Sequence, residues 1–234
     1  MDSWMEYVQT LDWSPLLISL KTGIAATIIS FFLGIFAARQ VIKAGPKGKA
    51  IADGILTLPM VLPPTVAGFF LLLIFSLRRP VGTFLYGTWD IKVVQTWLGC
   101  ILAATVIAFP LMYRNARAAF EQIDVNLIYA ARTLGMSEIT IFWKIVMPAA
   151  GPGVISGTIL TFARALGEYG ATSMLAGNIP GKTSTISQRI AMVIQDGDYE
   201  TAGFWVIVIL IIAFVTIGLM NFITSRHIKN VKRW

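Results

Sequence analysis

The chain has 234 residues, 56% of them hydrophobic and 13% charged, with a mean hydropathy of +0.72. A soluble domain of that length has too little interior to hide so much apolar surface, so the bilayer is the expected solvent and an all-α polytopic membrane protein the expected class. The net charge of +7 would point to nucleic acid in a soluble protein. Here the basic residues fall between apolar runs and bear on membrane orientation instead, so no nucleic-acid partner is expected.

The opening residues carry Asp2, Glu6 and Asp12 and no basic group, unlike the basic start of a cleaved leader, and the first span is expected to be retained. A helix crossing a hydrocarbon core about 30 Å thick needs about 20 apolar residues. Five stretches fit: residues 15–38, 51–77, 93–113, 154–168 and 202–223. In the first, Lys21 is near enough to the end to reach the outer interface. The second contains Pro59, Pro63 and Pro64, each of which removes an intrahelical hydrogen bond near mid-depth. Pro63, Pro64 and Thr65 then either line a watered pathway, with Thr65 as a hydroxyl donor, or form a kink packed inside the bundle.

The third stretch holds Cys100, the single cysteine, which excludes an intrachain disulfide and reads as a small packing residue. The fourth is short, and Gly151, Gly153 and Gly157 suit close helix packing. Its limits are open, towards 147–153 at one end or 170–175 at the other. Arg164 and Glu168 stand four residues apart at its outer end, one turn of one helix face.

Residues 177–184 end in Gly-Lys-Thr-Ser, yet Ala176 occupies the place where a phosphate-binding P-loop needs its first glycine. The segment reads as an external turn before a short helix over 186–194. His227, the only histidine, lies in a basic tail, so no histidine-based metal site or catalytic dyad is expected within the membrane.

Alternate segments differ in charge. Arg39, Lys43, Lys47 and Lys49, then Arg114, Arg117, Arg132 and Lys144, then Arg226, Lys229, Lys232 and Arg233 outweigh Arg78, Arg79, Lys92, Lys182 and Arg189. The positive-inside rule therefore predicts an outer N-terminus and a cytoplasmic C-terminus. The stretches between spans are too short for a separate soluble domain, so residues 1–234 are expected to form a single transmembrane domain.

Within the cytoplasmic segment 124–148 the pattern turns helical. Leu127, Ala130, Ala131 and Leu134 fall at i, i+3, i+4 and i+7, Gly135 suits a left-handed helix end, and Ser137 suits the cap of a second helix. Ile139, Phe142, Trp143 and Val146 repeat the spacing until Pro148 is expected to end it. On spacing alone, burial against the membrane surface or the protein's own bundle is the preferred reading of these faces.

The order Tyr129, Ala130, Ala131, Gly135, Ile145, Met147, Pro148 resembles the EAA signature of ABC-importer permeases, with Tyr129 in place of the acid and Met147 in place of the leucine. The runs Leu58–Gly68, Ala131–Gly135 and Phe162–Thr172 are similar to the molybdate permease group, whose near relatives carry sulfate and tungstate. The resemblance implies a type I ABC-importer permease fold with five transmembrane helices. It further implies that Leu127, Ala130, Ala131, Leu134, Gly135, Ile139, Phe142, Trp143, Ile145 and Pro148 dock an ATPase. The expected assembly is a homodimer in the plasma membrane of a prokaryote, with a cytoplasmic ABC ATPase dimer that binds the ATP and an extracytoplasmic oxyanion-binding protein.

No cofactor, metal or catalytic residue is expected in this chain. Molybdate is the expected substrate, with sulfate, thiosulfate or tungstate as the alternatives. In that setting Arg164 either meets a passing oxyanion while Glu168 holds it or gates, or the two form a structural ion pair, the preferred reading. A membrane-embedded enzyme is the competing class, disfavoured because the spans offer no convergent acids or histidines.

Overall fold

The computed structural model describes residues 11–231, with side chains to residue 222. Asp2 and Glu6, and the side chains of Arg226, His227, Lys229, Lys232 and Arg233, lie outside what is described. Among the described residues the regular elements are all helices: α1 (Ser14–Lys43), α2 (Pro46–Val61), α3 (Pro64–Phe75), α4 (Pro80–Trp89), α5 (Trp97–Glu121), α6 (Val125–Thr133), α7 (Glu138–Ile141), α8 (Met147–Leu166), α9 (Gly170–Ala176), α10 (Ile186–Gln195) and α11 (Tyr199–Val231). Proline stands in the first turn of α1, α2, α3 and α4. There its missing N–H would have no intrahelical partner and its fixed φ already suits the helix.

The centre of the fold is α1, α5 and α8. Ile35, Ala38 and Val41 of α1 pack with Met112, Tyr113, Ala116 and Phe120 of α5 and with Ala150 and Val154 of α8. Small residues set the spacing. A Cβ at Gly34 would lie 2.7 Å from Met112 Cγ, and one at Gly157 would lie 2.6 Å from Asn115 Cβ. Helices in lipid gain little from the hydrophobic effect between themselves, so close approach and dispersion hold them together. A second cluster joins α3, α5 and α9 through Ala67, Leu71, Ala103, Ile107, Ala171 and Leu175.

Three expectations are corrected. The second span is not one helix over 51–77: α2 and α3 meet at an angle of 107°. Leu62 (ψ 144°) and Pro63 (ψ 134°) are both extended, since a residue before proline is driven out of the helical region by the ring. Four helical rods pass the length and apolarity required of a crossing, Ser14–Lys43, Trp97–Glu121, Glu138–Leu166 and Tyr199–Phe222, and α2 with α3 makes a fifth if the pair counts as one broken span.

The fourth span does not begin at 154, and Pro148 does not end the helix before it. α7 and α8 form one rod over Glu138–Leu166, joined by a π turn at Phe142–Val146 in which the Met147 N–H donates to the Phe142 carbonyl. The wider turn accommodates a proline that has no N–H to donate and whose ring would otherwise meet the carbonyl four residues back. A rod of 29 residues is about 43 Å long and exceeds the hydrocarbon core, so its first turns project from the membrane.

Lastly, Arg114 and Arg117 are not loop residues: α5 runs eight residues past the expected limit of 113, to Glu121. The other first and last limits are extended in the same way, α1 to Lys43 and α11 to Val231.

The stretch 177–184 is a tightly bonded turn. The Ile179 N–H donates to Thr183 Oγ1 (2.9 Å), Gln188 Nε2 donates to the Gly177 carbonyl (2.8 Å), and the Ile186 N–H donates to Ser19 Oγ of α1 (2.8 Å). Thr185 and Gln188 cap α10 reciprocally.

Candidate functional site

Two regions carry the residues singled out from sequence. The first is the helix, turn and helix that follows α5. Asp124 starts α6 by accepting from the Asn126 N–H (2.9 Å). α6 ends at Leu134 with Gly135 at φ +74°. The Met136 N–H returns to the Ala131 carbonyl (3.2 Å) and the Gly135 N–H to the Arg132 carbonyl (3.0 Å), a Schellman end that needs a left-handed residue at that point. Ser137 then caps α7 by accepting from the Thr140 N–H (3.3 Å).

The ten residues assigned to docking divide by exposure. Leu127, Leu134, Ile139 and Trp143 are exposed, Leu134 to 81%, and Ala130, Gly135 and Pro148 are exposed beside them. Ile145 is half-buried. Ala131 and Phe142 are buried and face the protein. Phe142 packs edge-on against Phe120 at 5.7 Å, and the Arg39 guanidinium lies 4.4 Å from the centre of its ring. These two residues seat the helices, and the others form the surface.

Tyr129, which replaces the acid of the EAA pattern, is exposed with the Arg132 guanidinium 5.8 Å from its ring. Arg132 pairs with Glu138 at 2.7 Å. The hydrogen bond that it donates to that carboxylate holds Arg132 above its ordinary guanidinium value. The turn therefore carries its ion pair between the two helices rather than through residue 129.

The second region is where two helix breaks meet. Leu62 and Pro63 form the break between α2 and α3, with Pro64 and Thr65 opening α3, and Gly167, Glu168 and Tyr169 form the break between α8 and α9. A Cβ at Gly170 would lie 3.1 Å from Pro64 Cβ and 3.2 Å from the Thr65 backbone nitrogen, so the two breaks touch. One turn on, a Cβ at Gly68 would lie 2.6 Å from Ala171 Cα. Glycine at both places lets the backbones of α3 and α9 cross. Thr65 is exposed beside this contact.

Arg164 and Glu168 do pair, Nη1 to Oε2 at 2.9 Å, but not along one helix, because α8 ends at Leu166. The Glu168 side chain is 2% exposed, and its other oxygen accepts from the Ala171 N–H at 2.8 Å, capping α9. Arg164 stays 35% exposed, with nitrogen atoms left over. One buried carboxylate thus bridges the end of α8 and the start of α9.

Sequence reasoning missed a third group where the start of α2 meets the end of α5. Lys49 Nζ meets Glu121 Oε1 at 2.9 Å, Arg117 Nε meets the same oxygen at 3.0 Å, Arg117 also pairs with Asp53, and the Tyr113 hydroxyl donates to Asp53. Of these contacts, the spacing of Arg117 and Glu121, one helical turn apart, was the only local signal. Among the described residues no group of three or more His, Cys, Asp or Glu side chains is arranged to hold a metal ion.

The pattern described as "Binding-protein-dependent transport system inner membrane component" matches residues 30–230. The molybdenum transport system permease protein ModB of Escherichia coli K12 is 42% identical over 222 residues, covering 95% of each chain. The sulfate transport system permease protein CysT of Salmonella typhimurium is 34% identical over 233 residues, covering 98% of this chain and 84% of the relative. Among solved structures, a chain of the MetNI methionine ABC transporter in its inward-facing conformations superimposes with a TM-score of 0.70 at 17% identity, covering 91% of this chain and 94% of that one.

Proposed function

The chain belongs to the family of binding-protein-dependent transport system inner membrane components, a transport subunit rather than an enzyme, and from that premise we propose that it carries molybdate inward through the membrane. The proposed assembly is a homodimer in the plasma membrane of a prokaryote, worked by a cytoplasmic ABC ATPase pair that binds the ATP and supplied by an extracytoplasmic oxyanion-binding protein. Five crossings, with α2 and α3 as one broken span, leave the N-terminus outside and the C-terminus in the cytoplasm, in keeping with the basic segments.

The observation that carries the coupling role is the exposure of Leu127, Leu134, Ile139 and Trp143 on two helices fixed by caps at both sides of the turn. Such a surface asks for a partner. Because α7 continues into α8, force applied to it enters a membrane-spanning rod directly. Replacing Gly135 by valine forces a β-branched residue into φ +74° and disrupts the turn. Expected is loss of ATPase co-purification with the spans still folded; unchanged co-purification overturns the docking role.

Molybdate as the substrate is supported by the relative of 42% identity. The sulfate relative of 34% identity keeps sulfate, thiosulfate and tungstate as alternatives. Uptake of labelled molybdate by reconstituted vesicles, competed with tungstate and with sulfate, ranks them; sulfate displacing molybdate at equal concentration overturns the assignment.

The candidate pathway comprises Pro63, Pro64, Thr65 and Arg164, with Glu168 holding the arginine. Replacing Arg164 by glutamine is expected to lower uptake more than assembly, and equal losses return the pair to a purely structural role. Labelling from either side tests orientation: a cysteine placed at Lys47 should react only from inside and one at Lys182 only from outside.

A further inference from the structure

α2 is the least embedded long helix inside the described fold. None of its residues is buried, and Ile51, Ile55 and Leu58 are 65%, 66% and 51% exposed. Toward the core it offers only Ala52 and Leu56, both half-buried. Its attachment to α5 is instead polar. Asp53 takes donors from Tyr113 and Arg117 of α5, and Glu121 takes donors from Lys49 of α2 and Arg117 of its own helix. Tyr113 is fully buried in the core, so the donor that fixes Asp53 belongs to the rigid part of α5.

The location of this cluster connects the two candidate regions. At the cytoplasmic side Glu121 ends α5, and Asp124, the cap of α6, follows three residues on, so a displacement of the coupling helices reaches Glu121 and Arg117 through α6 as it reaches α8 through α7. At its other end α2 stops at the Leu62–Pro63 break, beyond which Pro64 and Thr65 lie against Gly170. α2 is thus a lever between the coupling surface and the paired breaks, with only the half-buried Ala52 and Leu56 as apolar contacts to make it follow α5.

We propose that Lys49, Asp53, Tyr113, Arg117 and Glu121 form a clasp that makes α2 move with α5, transmitting displacement of the coupling helices to the paired breaks. They are positioning residues for transport, and the proposal rests on the permease reading. A single part-exposed ion pair contributes little. Donors and acceptors shared among five side chains act together, and loss of several charge-assisted bonds is felt as a whole.

The test uses the permease assembled with its ATPase and binding protein in vesicles, in a Cys100→Ser background. The variant Lys49→Cys, Asp53→Asn, Glu121→Cys removes the clasp. Expected is an ATPase that still co-purifies and turns over, with molybdate uptake per ATP about tenfold lower, in line with losing charge-assisted hydrogen bonds between two helices. Bridging the two introduced thiols with a short bis-maleimide, confirmed by mass, should restore most of the uptake, since the bridge replaces the connection without restoring the charges. Uptake per ATP unchanged without the bridge, or still low with it, overturns the proposal.

If the triple variant fails to reach the membrane, Tyr113→Phe removes only the hydroxyl donor to Asp53. A fall of about threefold in uptake per ATP is then expected, and an unchanged value overturns the clasp. Absence of uptake by the parent assembly, whose cluster is intact, counts against the permease reading instead.

Discussion

The two breaks that meet at Gly170 are made by opposite means. Between α2 and α3 the interruption is covalent: Pro63 and Pro64 remove two N–H donors and drive Leu62 and Pro63 into extended conformations, with Pro63 and Thr65 exposed. Between α8 and α9 there is no proline, and a buried carboxylate does the work by pairing with Arg164 and capping Ala171. A break written into the backbone tolerates any surroundings. A break held by one charged side chain depends on burial and on both of its partners, so it can be lost at a single position.

That difference orders the expected effects. The largest belongs to Glu168→Ala, which leaves the Ala171 N–H without an acceptor and Arg164 without its partner. A loss of about 2 kcal/mol is expected, the unsatisfied buried donor supplying most of it because Arg164 is partly solvated. Thermal melting in detergent measures it, and Glu168→Gln, which keeps an acceptor for Ala171, should recover part of the loss. A parental midpoint for the alanine variant means that the carboxylate does not hold the break.

Next is Gly68→Ala, which tests the contact that both breaks share. Its Cβ would lie 2.6 Å from Ala171 Cα, a backbone atom that cannot rotate away, and overpacking of this kind costs about 1 to 2 kcal/mol. A neutral result would show α3 and α9 free to separate. The smallest effect on stability is expected from the double change Pro63→Ala, Pro64→Ala, about 0.5 kcal/mol either way, since Pro63 is exposed and Pro64 only half-buried. Its effect should show in uptake, because a straighter junction moves Thr65. An uptake rate equal to the parent's would make the break a packed kink and separate it from the pathway.

Much of the fold was legible where neighbours in sequence settle the conformation. The left-handed Gly135, the Ser137 cap and the helix over 186–194 follow from interactions within a few residues, and the structure has all three. The same local logic misled at Pro148, where a π turn carries the helix through, with Phe142 of that turn seated against Phe120 and Arg39 from distant helices. Prolines 63 and 64 announced a break in the second span but not its angle of 107°. That angle suits the close crossing of α3 on α9, more than 100 residues away in the chain.

The candidate sites divide in the same manner. Periodicity brought Leu127, Leu134, Ile139 and Trp143 to one surface, yet it also included Ala131 and Phe142, which face inward. Spacing paired Arg164 with Glu168 without revealing that the carboxylate is buried and spends its second oxygen on another helix. Lys49 and Glu121 stand 72 residues apart, and Asp53 and Tyr113 stand 60 apart, so no local pattern could join them.

By itself the sequence determined the membrane as solvent, the apolar stretches long enough to cross it, the caps of the turn over 134–137 and the family to which the chain belongs, because hydrophobic length and hydrogen bonding within a turn are local quantities. Only the tertiary structure decided which apolar residues stay exposed, how the two breaks meet and what ties α2 to α5. Those depend on close approach of glycines and on charges brought together from distant positions, and both are set by where whole helices pack.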